Sequence, residues 1–269
     1  MPVIPHIPNA DTTSDWSRFP WAAELEQRCA AAAASADRYA DWPPEGRAVF
    51  LEAIADELEK VRSDFLDSAH VETGLPMPRL EGELARTTGQ LRFHASHLRE
   101  RSKKAVRAID DASAKARLRL QWEPLGPVAV FGASNLPLAF STAGGDTASA
   151  LAAGGPIVVK QHPAQPRTGA IAAQAVTKAA TRTGMPSGTF GSLSSGDFEL
   201  GQALVRDPRI KPVGFTGSPA GGLALVPSAQ MRPLPLPAHA ETSSLNPVPL
   251  LPGPPPPPAA PPPDPSRPP

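Results

Sequence analysis

Apolar side chains recur at alternating spacings of three and four residues after Pro43 and Pro44. These positions are Leu51, Ile54, Leu58, Val61 and Phe65. The spacing places them on one face of a helix, which Gly74 and Pro76 are expected to end. A second predicted helix has a similar apolar side, formed by Leu80, Leu84, Leu91 and Leu98. Residues 1–120 are therefore predicted to be mainly helical.

The pattern changes from Arg117 onward. "ARLRLQWEP" alternates apolar and polar residues, which is typical of a half-buried strand. Four short apolar runs follow, "GPVAVFGAS", "GPIVVK", "GTFGSLSS" and "IKPVGFTGS". The first three precede predicted helices over 138–153, 168–183 and 197–205, and the fourth precedes a further helix start. Strands that alternate with helices predict an α/β fold with a doubly wound parallel sheet, which binds ligands at the carboxyl ends of its strands.

Proline interrupts this pattern after Pro227. Because proline lacks the N–H that a sheet ladder needs, a strand in "MRPLPLPAHAETSSLNPVPLL" is not expected inside the sheet. Of the 36 prolines, 14 lie between Pro247 and Pro269, so this tail is predicted to be polyproline II or disordered. We divide the chain into an N-terminal helical part (1–116), a dinucleotide-binding part (117–246) and a proline-rich tail (247–269).

Composition narrows the function classes. The chain has 26 basic and 26 acidic residues and no net charge, which argues against nucleic acid as a partner. One cysteine excludes an intramolecular disulfide and the Cys-rich zinc spacings, so we expect a reducing, cytoplasmic setting. The N-terminus does not resemble a signal peptide, and no apolar run reaches about 18 residues. We therefore expect a soluble protein that is neither exported nor bound to a membrane.

Two features that could carry chemistry are interpreted as structural. Cys29 lies in an alanine-rich helical stretch with no histidine nearby in sequence, so a buried, unreactive thiol is favoured over a nucleophile. His94 and His97 have the i, i+3 spacing of a metal pair, but no further ligand follows at a recognisable spacing. A solvated helix face is favoured, and no metal site is predicted.

Two groups of residues at predicted strand ends are candidates for binding and catalysis. "VGFTGSPAGG" places Gly217, Ser218 and Gly222 where a strand turns into a helix, and a helix N-terminus of this kind can bind phosphate. An ordinary tight turn is the simpler interpretation, and the G-x-G-x-x-G spacing is absent.

Asn135 in "GASNLPLAF" could donate a hydrogen bond to a developing oxyanion. Lys160 and His162, at the next strand end, could meet a cofactor ribose or phosphate. A turn asparagine and a surface lysine are the plain alternatives for Asn135 and Lys160.

Taken together, these segments resemble one family. "EPLGPVAVFGASNLPLAFSTAGGDTASALAAGGPIVVKQHPAQP", "GQALVRDPRIKPVGFTGSPAGG" and "AETSSLNPV" occur in the order and approximate spacing of the aldehyde dehydrogenase superfamily. The resemblance runs from about Arg18 to Pro249 and looks closest to the NADP-linked branch that includes α-ketoglutaric semialdehyde (2,5-dioxovalerate) dehydrogenase.

The resemblance implies an activity and roles for the candidate residues. In this family a cysteine thiolate attacks the aldehyde, hydride passes to the nicotinamide, and activated water releases the acid. Asn135 matches the oxyanion asparagine, and Lys160 matches the lysine that contacts the adenosine ribose. The phosphate-facing turn and helix start match Gly217, Ser218 and Gly222. Complete members pair into homo-oligomers.

The resemblance also implies a cofactor preference. Members that prefer NAD usually place a glutamate three residues after the lysine, where this chain has Pro163. Because Pro163 is not a carboxylate, this position would not repel a 2′-phosphate. His162 could help to hold that phosphate. NADP is therefore the expected cofactor, although NAD stays possible.

The chain departs from the family pattern near its end. Glu241 falls at the water-activating glutamate, but Thr242 and Ser243 follow it where the family has leucine and glycine. A solvent-exposed glutamate in a disordered tail is the alternative. No cysteine follows Cys29, so the nucleophile and its catalytic domain are expected to be missing. A frameshift, a gene fragment or a genuine fusion would explain the tail equally.

Three functions follow from this interpretation. The leading one is an aldehyde dehydrogenase by descent, acting on a semialdehyde acid with NADP, whose present chain is C-terminally truncated and inactive. The second is a non-catalytic dinucleotide-binding fragment. The third is an interaction protein whose "PPPPPAAPPPDP" segment binds a polyproline-recognising domain.

Overall fold

A computed structural model describes residues 16–101, 107–109, 118–120, 122–244, 247 and 249. A short 3-10 helix, Trp16–Arg18, precedes the N-terminal helices. These helices are α1 (Ala22–Ala40), α2 (Pro44–Lys60), α3 (Arg62–Thr73) and α4 (Met77–Arg101). Two short strands, β1 (Arg107–Ile109) and β2 (Leu118–Leu120), then pair antiparallel.

The centre of the fold is a parallel five-stranded sheet. Its strands are β3 (Val128–Phe131), β4 (Ile157–Lys160), β5 (Phe190–Leu193), β6 (Val213–Thr216) and β7 (Ala238–Glu241), in the order β5-β4-β3-β6-β7. The intervening helices are α5 (Gly145–Ala153), α6 (Pro166–Arg182), α7 (Phe198–Arg206) and α8 (Pro219–Gln230). The chain winds outward from β3 in one direction and then in the other, so the strand order reverses between β3 and β6. The predicted fold class is confirmed.

Apolar residues cover both faces of this sheet. On one face α1 packs with α7 and α8, and Leu25 and Cys29 lie in the same cluster as Phe131 and Leu204. On the other face α2, α3 and α4 pack with α5 and α6. The N-terminal helices and the sheet therefore share both of their cores across residue 117.

Two helix predictions were wrong in extent. The face from Leu51 to Phe65 was predicted on one helix, but α2 ends at Lys60, and Val61 has a non-helical φ of −101° and ψ of 16° before α3 begins. The helix predicted over 138–153 begins only at Gly145. The N–H groups of Leu138 and Ala139 bond to the carboxylate of Glu83, so a side chain from α4 satisfies them and no helix is needed there.

Other predictions were confirmed. Leu80, Leu84 and Leu91 are fully buried on α4, and Leu98 packs against the same cluster. A strand occurs at 118–120 within "ARLRLQWEP". The proline-interrupted segment after Pro227 does form a strand, β7, which within the described residues pairs only with β6 and is thus at the edge. The predicted tail, apart from 247 and 249, lies outside the described residues.

Candidate functional site

The candidate residues lie along one edge of the sheet. Lys160 and Glu241 are the last residues of β4 and β7, Asn135 follows β3, and Gly217 and Ser218 follow β6. Because the strands are parallel, their carboxyl ends meet at the same edge. The structure thus brings together residues that are more than 100 positions apart in sequence.

The segment that carries Asn135 is held by helix α4. The Oε1 atom of Glu83 accepts hydrogen bonds from the backbone N–H groups of Leu138 and Ala139 at 2.7 and 2.9 Å, and all three residues are buried. One turn earlier, Nη2 of Arg79 donates to the carbonyl oxygen of Asn135 at 2.9 Å. These bonds fix the backbone while the Asn135 side chain stays exposed. Asn135 can therefore meet a ligand without rearrangement of its loop.

The end of β4 carries a cation and a histidine. Lys160 is half-buried, and its Nζ donates to the carbonyl oxygen of Ser195 at 3.1 Å. Burial lowers the pKa of Lys160, and the charge of Asp197 opposes this shift. Burial also lowers the pKa of His162, and the nearby charge of Lys160 lowers it further. An anion bound here would stabilise the charged forms of both side chains, which burial disfavours.

The geometry of His162 defines its neutral form. Its Nδ1 accepts the backbone N–H of Ala164 at 3.1 Å, so the neutral ring carries its proton on Nε2. Pro163, next in the chain, is exposed, and a Cβ on Gly196 would lie 3.9 Å from its Cβ. The ends of β4 and β5 therefore approach each other beside the two basic groups.

The turn between β6 and α8 is tightly packed. Ser218 is the N-cap, and its Oγ accepts the backbone N–H of Gly221 at 3.1 Å, with Pro219 in the first turn. A Cβ at Gly217 would lie 2.7 Å from Cζ of Phe215, and one at Gly222 would lie 2.8 Å from Cγ2 of Thr242. Only glycine fits these two positions without displacement of a neighbour, and the N-terminus of α8 stays open at the sheet edge.

Glu241 lies in an ordered strand rather than in a disordered tail. Its register partner on β6 is Thr216, and its carbonyl oxygen accepts the N–H of Gly217 at 3.0 Å. Its side chain is exposed. The alternative that placed this glutamate in an unstructured segment is therefore wrong.

Two carboxylates at this edge were not predicted from the sequence. Asp146, in the first turn of α5, accepts a hydrogen bond at Oδ2 from Thr216 Oγ1 at 3.1 Å. Glu83 is the clamp on the Asn135 segment described above. Asp146 follows two glycines at the start of a helix, a usable helix-start signal, but the helix predicted over 138–153 placed it mid-helix. No local signal marks Glu83, because its partners lie 55 and 56 residues away.

Cys29 and the histidine pair lie elsewhere. Cys29 is fully buried on α1, and burial raises the pKa of its thiol to about 12, with a further contribution from Asp207. His97 stacks on Phe93 on α4 with ring centroids 6.2 Å apart. Within the described ranges, no three His, Cys, Asp or Glu side chains are grouped as a metal site would require. No helix in the same ranges has the length and apolar character to cross a bilayer.

Comparison with known proteins identifies similar chains. The model of the family described as "Aldehyde dehydrogenase family" matches residues 9–252. The chain is 49% identical over 236 residues to alpha-ketoglutaric semialdehyde dehydrogenase 2 of Azospirillum brasilense, covering 86% of this chain and 45% of that protein. It is 46% identical over 235 residues to alpha-ketoglutaric semialdehyde dehydrogenase of Acinetobacter baylyi, covering 85% and 44%.

A solved structure gives the same result for the fold. Proline utilization A of Bradyrhizobium japonicum superposes with a TM-score of 0.72 at 26% identity, over 82% of this chain and 22% of that one. The chain spans less than half of the length of the two semialdehyde dehydrogenases that it matches.

Proposed function

The chain belongs to the aldehyde dehydrogenase family, and from this premise we propose that it is the N-terminal helical and cofactor-binding portion of an enzyme that oxidises α-ketoglutaric semialdehyde to the acid with NADP. The observation that carries the proposal is the convergence of Asn135, Lys160, the start of α8 and Glu241 on one sheet edge. The identity to two α-ketoglutaric semialdehyde dehydrogenases supports the substrate. We retain the division of the chain at residues 116 and 246, and a cytoplasmic setting, as part of this proposal.

The residues at this edge fit a dinucleotide. Lys160 and His162 offer basic groups whose pKa values are lowered by burial. A bound anion would favour their charged forms and so raise these pKa values. Gly217 and Gly222 let the Phe215 ring and the Thr242 side chain pack closely against the turn, and the exposed N-terminus of α8 can meet a phosphate. We assign the adenosine ribose to Lys160 and the phosphates to the turn from Gly217 to Gly222.

Two side chains would take part in the oxidation of the aldehyde, one at the aldehyde oxygen and one at the water. The bound cofactor would supply the hydride acceptor for the oxidation. The Asn135 carboxamide N–H would donate to the aldehyde oxygen as negative charge develops on it, and the clamp from Glu83 keeps its backbone in place. The Glu241 carboxylate would take a proton from the water that releases the acid.

Cofactor binding and aldehyde oxidation are separate expectations for this chain, because oxidation needs a reactive cysteine. The only cysteine in the printed chain is Cys29, which is buried with a raised pKa. A thiol in that state is not available as a nucleophile. The isolated chain is therefore expected to bind the dinucleotide without oxidising an aldehyde.

Isothermal calorimetry with NADP and NAD tests the cofactor assignment. We expect NADP to bind the full chain about tenfold more tightly, as one charge-assisted hydrogen bond to the 2′-phosphate would give. His162→Asn should weaken NADP and leave NAD unchanged, whereas His97→Asn, a matched change on the exposed side of α4, should alter neither. Tighter NAD binding, or no heat from a folded sample, would refute the proposal.

The pH dependence of binding gives a second check. Burial lowers the pKa of His162, so without a ligand the side chain is neutral at pH 7. It becomes charged only at a pH below the range in which histidine usually titrates. A bound phosphate favours the charged form, so the contribution of His162 to NADP affinity should grow as pH falls from 7 to 5.5. Because the phosphate itself titrates near pH ~6, the quantity to compare is the difference between the wild type and His162→Asn.

A further inference from the structure

A carboxylate that the proposed reaction does not use lies under the end of β6. Gly214 and Thr216 point to the same face of the sheet, since side chains alternate along a strand. A Cβ on Gly214 would lie 3.4 Å from Cβ and Cγ of Asp146. Thr216, two residues later, donates its hydroxyl to Oδ2 of Asp146 at 3.1 Å. Asp146 is thus held against this face at the sheet edge where the site lies.

The register of β7 brings two more side chains to the same face. Gly214 is opposite His239, and Thr216 is opposite Glu241. Register partners on neighbouring parallel strands point to the same side of the sheet. Asp146, Thr216, His239 and Glu241 therefore form one group, which we call the Asp146 cluster.

The electrostatics of the cluster agree with this geometry. Burial raises the pKa of Asp146, the hydrogen bond from Thr216 lowers it, the charge of Glu241 raises it and the charge of His239 lowers it. Among the described residues these are the groups that act on Asp146. Asp146 is half-buried whereas Glu241 is exposed, so the environments of the two carboxylates differ.

We propose that Asp146 is a positioning residue for Glu241: Thr216 holds its carboxylate on the face of the sheet that Glu241 shares, and the charge of each carboxylate acts on the other. Like charges at close range disfavour double ionisation, so the charge on one carboxylate affects proton uptake by the other. The reaction role rests on the proposed function of Glu241.

A purely structural role for Asp146 predicts something different. A carboxylate in the first turn of a helix is stabilised by the helix dipole, which favours its ionised form. An aspartate that served only α5 would titrate without regard to the residue at position 241. The response of Asp146 to substitution of Glu241 therefore separates the two roles.

The experiment follows the side-chain carboxyl carbon of Asp146 by NMR during a pH titration of the full chain without cofactor. Glu241→Gln removes the neighbouring charge and should lower the Asp146 midpoint by roughly half a pH unit or more. Thr216→Val removes a donor to the ionised form and should raise the midpoint. Glu199→Gln, an exposed glutamate on α7, is the matched control and should leave the midpoint unchanged.

An Asp146 midpoint that is the same in the wild type and Glu241→Gln would overturn the proposal. Since Glu241 is exposed, its substitution should not disturb folding, and an amide correlation spectrum checks this. If it does, Asp146→Asn gives the reciprocal measurement, because two coupled sites shift each other equally: an unmoved Glu241 midpoint would likewise overturn the proposal. The titration needs no NADP, so a failure of cofactor binding and a failure of the coupling give separate results.

Discussion

At the scale of single residues, the site depends on contacts that connect distant parts of the chain. Asp146 bonds to a threonine 70 residues away, and Glu83 bonds to backbone groups 55 and 56 residues away. Asn135 and Lys160 could be selected from sequence because each lies at or shortly after the end of a recognisable strand, and Glu241 could be selected through the family resemblance. Asp146 and Glu83 could not be assigned a partner, since their partners are set by the tertiary packing of α4 and α5.

Cys29 shows how burial determines reactivity. The thiol is fully buried on α1, and burial raises its pKa to about 12. We predict that a disulfide-exchange reagent at pH 8 labels the native chain at least about a hundredfold more slowly than the unfolded chain, because the reactive thiolate is scarce and shielded.

The measurement is the rate of thiol release with and without concentrated urea. Cys29→Ala provides the baseline and should give no signal in either state. Rapid labelling of a natively folded sample would contradict the burial of Cys29 and reopen its role as a nucleophile.

At the scale of elements, sequence patterns located most strands and helices but not all their limits. The apolar runs that became β3 to β6 were found because each is short and followed by a helix-length segment. The start of α5 was misplaced because Glu83 satisfies the N–H groups of Leu138 and Ala139, which hydrophobic periodicity cannot indicate. The break at Val61 was missed because apolar spacing continues through it.

The N-terminus of α8 allows stability and binding to be separated. Ser218→Ala removes the oxygen that accepts the Gly221 N–H and should cost about 0.5–2 kcal/mol of unfolding free energy. Ser218→Asp retains an acceptor at the N-cap, so stability should be kept. Its negative charge would oppose a phosphate at the same helix end, and we predict at least about a tenfold loss of NADP affinity.

Urea denaturation and calorimetry on the same two variants test this pair of expectations. An aspartate variant that binds NADP as well as the wild type would show that the phosphates do not meet this helix. An alanine variant of unchanged stability would show that the cap contributes nothing to α8.

At the scale of the whole molecule, the order of strands and the packing of helices on the sheet could not be obtained from the sequence. The division at residue 117 follows a change in pattern, yet α1 packs with α7 and α8 on one face while α2 to α4 cover the other. Both cores therefore need residues from each side of that division. We expect that residues 117–246 expressed alone would lack these covering helices and expose the apolar faces they bury.

The surface near β7 leads to a prediction about self-association. Leu223, Met231 and Leu234 are 65%, 53% and 76% exposed, and within the described residues β7 pairs on one side only. Exposed apolar side chains beside an unpaired strand edge favour association between chains. The isolated chain should therefore form concentration-dependent oligomers or aggregates in light scattering.

Leu223→Lys combined with Leu234→Lys should reduce these oligomers or aggregates, whereas Val71→Lys, at an 82% exposed position on α3, should not. A monodisperse wild-type sample that unfolds in one sharp transition above ~60 °C would show that this surface is closed in another way.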